Sequence, residues 1–318
     1  MNTTPLRVAI VGSGRMGRVH LGAFSRARSA VPVAIVDPEA EPRRTAEARG
    51  LRAYASAEEL LEADAIDGVV IAAPTRFHAR LVTTFADARV PVLCEKPCGL
   101  SSSETAAAVQ AAAHAGIPLQ IGFWMRFIPE LQELRARVQS GALGQVLSIS
   151  CWMWDAAPPS RDYLAASGGI ALDMGVHEID RTRWLLGQEF ESVRAVAAMQ
   201  SKPREFEDEP LAAQVVGALS GGATASISLG RRFPHGDCAW SEIMGTKDHV
   251  RTKFLWSKDG DQVFEDAVLA QAEAFAEAIR TGEVIEGAAS GADAVKTVRT
   301  AEQIREELRA RAGARDST

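Results

Sequence analysis

The stretch that decides the fold is "RVAIVGSGRMGRVH", residues 7–20. It begins with a β-branched, apolar run typical of a buried strand, and glycines follow at positions 12, 14 and 17. In a strand–turn–helix unit, Gly12 permits a tight turn, Gly14 lets the backbone approach a pyrophosphate, and Gly17 lets the helix pack closely on the strand. Free N–H groups at the start of such a helix attract phosphates. The residues predicted to bind a dinucleotide here are Gly12, Ser13, Gly14, Arg15, Met16 and Gly17.

A second apolar run, "PVAIVD" at 32–37, ends in Asp37, which lies 25 residues after Gly12. An acid at about this distance accepts hydrogen bonds from the ribose hydroxyls of NAD. Its carboxylate would also repel the 2′-phosphate of NADP, so the sequence favours NAD. The alternative is that Asp37 is a turn residue in front of Pro38.

Strands and helices continue to alternate through the first third of the chain. Further strands are predicted over 67–75, 90–97 and 118–124, with helices between them. This alternation is typical of a doubly wound parallel sheet, in which ligands bind at the carboxyl ends of the strands. The strand-end residues expected to meet in one crevice are Gly12, Asp37, Pro74, Thr75, Glu95 and Lys96.

The pattern changes after residue 124. A helix is followed by a long strand at 145–155, and the later strands are joined by short turns, including a hairpin at 220–222. Strands without helices between them indicate a mostly antiparallel sheet. We therefore predict an α/β protein with domains at 1–124 and 125–318, the second an α+β domain with an open sheet. The C-terminal helix is a candidate to pack back on the first domain.

The stretch "SGGIALDMGVHEIDRTRWLLGQ", residues 167–188, places three titratable groups on a predicted helix. Asp173, His177 and Asp180 are spaced i, i+4 and i+7, which puts them on one face. One interpretation is a solvated polar face, as on most amphipathic helices. The other is that this face lines a substrate crevice and carries catalysis, which the accompanying dinucleotide site favours.

Composition excludes several classes of protein. The formal net charge of −6, without a basic cluster, argues against nucleic acid as a partner. The four cysteines lack the spacing of a disulfide framework or a zinc site, so reduced thiols and no bound metal are expected. With no leader pattern and no apolar run of about 18 residues, we expect a cytoplasmic protein without membrane contact.

Several separated motifs together resemble the Gfo/Idh/MocA family of oxidoreductases, most closely its inositol 2-dehydrogenases. They are "GSGRMGRVH", "AAPTRFHA", "CEKPCGLS", "GFWMRFIPEL" and "APPSRDYLAASGGIALDMGVHEIDRTRWLLG". The resemblance covers nearly the whole chain. It implies a Rossmann domain followed by an α+β domain whose open sheet forms oligomer contacts, hence a homodimer or homotetramer. It also implies hydride transfer between a ring carbinol of a cyclitol or sugar derivative and NAD or NADP.

The resemblance assigns Lys96, Asp173 and His177 to catalysis and Asp180 to the wall of the substrate pocket. Chemically, loss of hydride from a carbinol carbon requires a base for the hydroxyl proton, and histidine suits this near neutral pH. Lys96 would stabilise developing alkoxide charge. Asp173 would orient the imidazole or bind a neighbouring hydroxyl. The further residues placed by the resemblance near the nicotinamide and its ribose are Ala73, Pro74, Thr75, His78 and Glu95, although His78 is equally a candidate for packing or capping.

Departures from the inositol dehydrogenase pattern concern the substrate. Met125 and Ile128 stand where those enzymes have an arginine and an acid, and a later loop has His235 in a region that typically presents a tyrosine. Trp152 and Trp154 would stack on a sugar ring or else pack in a core or subunit interface. Arg126 would bind hydroxyls or pair with an acid. The full set of predicted substrate-binding residues is Lys96, Arg126, Trp152, Trp154, Asp155, Asp173, His177, Asp180 and His235. We expect a polyol or sugar-like substrate that is less hydroxylated than myo-inositol or modified.

Two other functions fit the same motifs. A non-catalytic NAD(P)-binding sensor would share the fold, although such relatives tend to lose the lysine or histidine that this chain keeps. An oxidoreductase that retains its cofactor through two half-reactions would share the residues as well. Fold alone does not separate these functions, so the site residues must.

Overall fold

The computed structural model describes residues 4–198, 210–256 and 260–313. They form two compact units, the first within 1–127 and 265–295 and the second within 128–264 and 296–318. The first division lies three residues beyond the predicted boundary at 124. Late in the chain, residues 265–295 belong to the first unit. Most of the C-terminal helix, which was the candidate for this return, falls in the second unit.

The first unit contains a seven-stranded sheet. Its strands are β1 (Leu6–Val11), β2 (Ala30–Val36), β3 (Arg52–Tyr54), β4 (Gly68–Ile71), β5 (Val92–Cys94), β6 (Leu119–Ile121) and β13 (Ala289–Ser290). Their order is β13-β6-β5-β4-β1-β2-β3, and every pair is parallel except β13 with β6. The order reverses at β1, which confirms the predicted doubly wound sheet. The short strand β3 lies in a region where the sequence pattern predicts no element.

Helices connect these strands. They are α1 (Arg15–Arg26), α2 (Ala40–Glu47), α3 (Ala57–Ala63), α4 (His78–Asp87), α5 (Ser102–Ala115) and, returning late in the chain, most of α9 (Gly260–Thr281). Helix α5 shows how local sequence fixes its ends. The Ser101 hydroxyl accepts a hydrogen bond from the Glu104 N–H, and Gly116 ends the helix at φ 69°.

The second unit contains a six-stranded sheet. Its elements are α6 (Pro129–Gln139), β7 (Val146–Trp154), α7 (Arg161–Ser167), α8 (Val176–Leu186), β8 (Phe190–Ala198), β9 (Ala212–Leu219), β10 (Thr224–Gly230), β11 (Cys238–Gly245), β12 (His249–Trp256) and most of α10 (Gly291–Gly313). The order is β12-β11-β7-β10-β9-β8, with β7 and β10 as the parallel pair. The other pairings are antiparallel, as predicted. Gly222, at φ 83°, lies in the turn of the predicted hairpin between β9 and β10.

The two faces of this second sheet differ in what covers them. On one face, the Cys151 thiol of β7 lies 3.5 Å from the Thr182 hydroxyl of α8. Side chains alternate along a strand, so the neighbours of Cys151 on β7 point to the opposite face. That opposite face carries Trp152, whose ring stacks on Trp240 of β11 with centroids 5.1 Å apart. Helix α8 therefore packs on one face and the tryptophans occupy the other.

Among the helices within the described ranges, none combines the length and the apolar character that crossing a membrane requires.

Candidate active site

The glycine-rich turn between β1 and α1 has the geometry that its sequence predicts. Gly12 has φ 96°, and a Cβ there would lie 2.7 Å from the Ala72 carbonyl oxygen. A Cβ on Gly17 would collide with the Gly12 carbonyl oxygen, so the helix packs against the turn only because this residue is glycine. At Gly14, the N-cap of α1, a Cβ would meet no atom within 4 Å. The start of α1 is therefore open to an approaching phosphate, with no side chain to cap its N–H groups.

Asp37 follows β2 and lies next to this turn. Its Oδ2 accepts a hydrogen bond of 2.9 Å from the Ser13 N–H, and its Oδ1 accepts one of 3.0 Å from the Glu39 N–H. The contact with Glu39 shows that Asp37 also organises its own turn, as the alternative interpretation of the Asp-Pro pair required. This contact is compatible with the predicted binding of a ribose, because each carboxylate oxygen can accept more than one hydrogen bond. The backbone cradle and the acid beside it fit a dinucleotide with a ribose near Asp37.

The ends of β4 and β5 lie side by side and are joined through His78. Its Nδ1 is 2.8 Å from the Pro97 carbonyl oxygen and its Nε2 is 2.7 Å from the Ala73 carbonyl oxygen. Burial lowers the pKa of His78, although the two carbonyls act in the opposite direction. The ring thus lies between two predicted cofactor-binding segments and faces protein backbone on both of its nitrogens.

Glu95 and Lys96 follow β5 directly, and a cis peptide bond joins Lys96 to Pro97. The Glu95 carboxylate is buried. Its Oε1 is 2.7 Å from Nε2 of His20, and its Oε2 accepts a hydrogen bond of 3.2 Å from the Lys96 N–H. The segment that carries the candidate catalytic lysine is therefore held by a buried carboxylate.

Arg126 lies in a short 3₁₀ helix after β6 and is buried. Its guanidinium lies 3.2 Å from the Ala288 carbonyl oxygen and 3.4 Å from a carboxylate oxygen of Asp293. Of the two roles open to Arg126 from the sequence, these contacts show pairing with an acid.

In the second unit, Asp173 lies in one turn of π-helix, Ala171–Gly175, that precedes α8. Gly168 ends α7 and Gly169 follows, with φ 80° and 92°, which favours glycine at both positions. The Asp173 carboxylate accepts a hydrogen bond of 2.8 Å from the Tyr163 hydroxyl on one oxygen and one of 2.8 Å from the Arg231 guanidinium on the other. Burial, followed by the negative charge of Asp173, raises the pKa of the Tyr163 phenol, which therefore stays protonated as a donor.

His177 and Asp180 lie on the first two turns of α8. Both are buried, with 6% and 2% exposure, and Asp173 is 9% exposed. This excludes the solvated polar face considered from the sequence, because a solvated face leaves its charged groups exposed. Side chains on the other faces of α8 are buried too, and the charged ones have partners. Glu178 pairs with Arg181, while Arg183 donates to Glu189 at 2.6 Å and to Thr297 at 3.1 Å.

The other predicted substrate residues of the second unit lie in different surroundings. Trp152 and Trp154 lie on the sheet face opposite to α8, and the Trp154 indole N–H donates to the Ser228 hydroxyl at 2.9 Å. His235 is exposed in a loop, with its ring centroid 5.6 Å from that of Phe233. Asp155 lies closer to Tyr163, the donor to Asp173, because the charge of Asp155 contributes to the raised pKa of Tyr163.

Three residues at the site escaped sequence reasoning. His20 stands in the first motif, where an apolar-facing histidine on a helix carries no distinctive signal. Tyr163 precedes the double glycine, and Arg231 follows β10, 58 residues after Asp173. The sequence signal for Arg231 was only indirect. A buried aspartate requires a partner, but the sequence does not show which cation is that partner.

Comparison with known proteins agrees with this geometry. Residues 6–123 match the oxidoreductase family with an NAD-binding Rossmann fold, named Gfo/Idh/MocA, and residues 131–251 match the C-terminal domain of the same family. The chain belongs to the Gfo/Idh/MocA family. It is accordingly an oxidoreductase with NAD as its cofactor, as predicted from the glycine-rich turn and Asp37.

Similar members of the family extend over the whole chain. The rhizopine catabolism protein MocA of Rhizobium meliloti is 40% identical over 295 residues, which are 93% of each chain. A myo-inositol 2-dehydrogenase of Thermotoga maritima is 30% identical over 87% of this chain and 89% of its own length. Among solved structures, a myo-inositol dehydrogenase of Corynebacterium glutamicum superposes with a TM-score of 0.88 at 28% identity, covering 96% of this chain and 97% of that one.

Proposed function

We propose that this protein is an NAD-dependent dehydrogenase that oxidises a ring carbinol of a cyclitol or a sugar derivative. The observation that carries the proposal is the buried turn in which Asp173, fixed by Tyr163 and Arg231, precedes His177. A purely structural helix rarely buries a carboxylate and an imidazole in consecutive turns, because each must be compensated. Relatives named as inositol dehydrogenases support the substrate class.

The first unit supplies what the cofactor needs. The open N-terminus of α1 at Gly14 would hold the pyrophosphate, and Asp37 would accept hydrogen bonds from a ribose. When bound, NAD supplies the hydride acceptor. The strand-end segments that carry Ala73 and Lys96 both lie against the buried ring of His78.

The proton is assigned to His177. A neutral imidazole accepts the hydroxyl proton as the carbon loses hydride, and histidine is the residue type whose charge changes near neutral pH. The ammonium group of Lys96 stabilises the charge that develops on the oxygen. Asp173 keeps its orientation through Tyr163 and Arg231, and it holds the ring or a second hydroxyl in place.

The substrate is proposed to carry fewer free hydroxyl groups than myo-inositol, or a substituent. Met125 and Ile128 are buried apolar side chains at the positions where inositol dehydrogenases have an arginine and an acid. Arg126, the neighbouring cation, is engaged with Asp293. This segment therefore offers fewer polar side chains to the hydroxyl groups of a substrate.

A homodimer or homotetramer is proposed from the open face of the second sheet. Four large apolar side chains on that face are 37–57% exposed, namely Trp152, Val196, Val216 and Met244. Exposed apolar side chains grouped on one sheet face commonly mark an interface. Light scattering coupled to size exclusion should give a mass that is two or four times 34.0 kDa.

The proposed function is tested by following NADH absorbance with inositols, amino-sugars, anhydrosugars and aldoses. Wild type should turn over a cyclitol or sugar derivative with NAD. Lys96→Ala and His177→Ala should each lower kcat by about 10²–10⁴-fold while still binding NADH. Binding of NADH without turnover of any compound would instead favour the sensor, and a strong preference for NADP would contradict the role of Asp37. Nicotinamide that copurifies with the protein would favour the enzyme with a retained cofactor.

A further inference from the structure

Two buried histidines hold the short segment Glu95–Lys96–Pro97 from opposite sides. His20 comes from α1, the helix whose N-terminus forms the glycine-rich turn. His78 is the first residue of α4. Neither has a role in the reaction steps described above, yet both contact the backbone or side chain beside Lys96. This arrangement is here called the histidine clamp, and it comprises His20, Glu95 and His78.

The first arm of the clamp is the pair of His20 and Glu95. His20 is fully buried, and its Nε2 lies 2.7 Å from Glu95 Oε1. Its Nδ1 is buried too and has no hydrogen-bond partner among the described residues. A proton on Nδ1 would leave a buried N–H unsatisfied, which is unfavourable because that group has lost its water. Nε2 is therefore the nitrogen that carries its proton towards Glu95, and it donates this hydrogen bond to the carboxylate.

Glu95 passes this constraint to the lysine. Its second oxygen accepts the Lys96 N–H at 3.2 Å, so the carboxylate bridges α1 and the backbone of Lys96. The space for the carboxylate is limited from the other side by Gly122, at the end of β6. A Cβ on Gly122 would lie 3.0 Å from the Cα, the Cδ and Oε1 of Glu95. The carboxylate is thus confined between a helix and a strand end.

The second arm is His78. It is 2% exposed, and its two nitrogens lie 2.8 Å and 2.7 Å from the carbonyl oxygens of Pro97 and Ala73. Because burial lowers its pKa, the ring is neutral near pH 7 and donates to one of these carbonyls at a time. In one tautomer the ring donates to the Pro97 carbonyl, directly after Lys96, and in the other it donates to the Ala73 carbonyl. Either tautomer therefore joins one of these two segments to α4.

We propose that His20 and His78 are positioning residues that fix the backbone on both sides of Lys96 and so orient its ammonium group. The inference rests on the proposed function, in which Lys96 acts on the substrate oxygen. Through His20, the helix that would hold the pyrophosphate is joined to the segment that carries the catalytic cation. Small displacements of such a group from its productive position reduce rates by as much as about 100-fold.

The test compares His20→Gln with His20→Asn. The amide nitrogen of glutamine reaches about as far as Nε2 of histidine and can donate to Glu95, whereas that of asparagine stops short. We expect His20→Asn to lower kcat by about 10–100-fold, with the KM for NAD changed less than about threefold. His20→Gln should recover kcat to within about fivefold of wild type. His114→Ala, an exposed histidine on α5, is the matched control and should behave as wild type.

A second readout does not depend on activity. Hydrogen–deuterium exchange of a peptide covering residues 94–98 should be faster in His20→Asn and in His78→Leu than in wild type, because the Lys96 N–H loses its fixed acceptor or the segment loses an anchor. His20→Gln and His114→Ala should show wild-type exchange. Faster exchange together with the kcat loss, both reversed by glutamine, is the supporting result.

Two outcomes would overturn the clamp. One is wild-type kcat in a His20→Asn protein that shows faster exchange, since the contact would then exist without positioning Lys96. The other is an equal loss in His20→Asn and His20→Gln, since the effect would then not depend on a donor to Glu95. Retained turnover in Lys96→Ala would instead contradict the proposed role of the lysine, and because it is observed in a different variant, the two failures are distinguishable.

Discussion

Helices α1 and α8 both begin at turns that present functional groups, but different parts of the chain determine them. At α1 the groups are backbone atoms, and the three glycines that shape them lie within residues 12–17. At α8 the groups are the side chains of Asp173 and His177, buried in a helix that is covered on all sides. The cation that pairs with Asp173 comes from far along the chain, since Arg231 is 58 residues away. On the same helix, Arg183 donates to Thr297, which is 114 residues away.

The difference shows what kind of site a short motif can specify. A phosphate-binding turn needs particular backbone angles and free N–H groups, which local sequence provides. A buried carboxylate needs a cation and donors at hydrogen-bond distance, and these come from whichever strand passes nearby. Substitutions at α1 should therefore be judged by space around the backbone, and substitutions near α8 by charge.

The largest effect on stability is expected from Arg231→Met. It leaves the buried Asp173 carboxylate without the guanidinium that lies 2.8 Å away, so we expect the free energy of unfolding to fall by about 3–5 kcal/mol. Urea denaturation followed by circular dichroism measures this loss. The neighbouring Arg232 is exposed, and Arg232→Met should stay within about 0.5 kcal/mol of wild type. Equal stability of the two variants would contradict the role given to Arg231.

The next effect concerns the backbone at α1. Gly17→Ala puts a methyl group on the Gly12 carbonyl oxygen, so we expect a loss of about 1–3 kcal/mol and weaker NADH binding. Gly22 lies on the same helix, and a methyl group there would meet no atom within 4 Å, so Gly22→Ala should stabilise the protein by about 0.5–1 kcal/mol. Thermal unfolding and NADH fluorescence titration measure both quantities. If the two alanine variants behaved alike, the close approach of helix and turn would not constrain the site.

The same contrast explains how much the sequence predicts. The doubly wound sheet and the mostly antiparallel second sheet follow from local hydrophobic patterns with periods of two or 3.6 residues. The glycine turn and Asp37 follow from a short motif with fixed spacing. A strand pattern shows alternation but not which face a helix will cover, so the sequence left open whether Trp152 and Trp154 stack on a sugar ring or pack in a core or subunit interface. Arg126 was ambiguous for a similar reason, since its partner Asp293 lies 167 residues away.

The smallest effect should come from a partner of α8 that is close in sequence. Hydrogen bonding from Arg183, with a further contribution from Lys296, lowers the pKa of Glu189 to about 2. A depressed carboxyl pKa stabilises the folded state above the ordinary value of 4.5, and this stabilisation is lost as pH falls towards 2. Because the Glu189 side chain is 45% exposed, solvent screening reduces the effect, and Glu189→Gln should cost about 1 kcal/mol at pH 7.

The difference between wild type and Glu189→Gln should shrink as pH is lowered from 4.5 towards 2, since the wild-type carboxyl then becomes protonated as well. Urea denaturation at several pH values measures this difference directly. Glu191→Gln, at an exposed acid two residues further along the chain in β8, serves as the control and should show no comparable pH-dependent difference. A gap between wild type and Glu189→Gln that stayed constant with pH would mean that Glu189 stabilises α8 through packing and not through its charge.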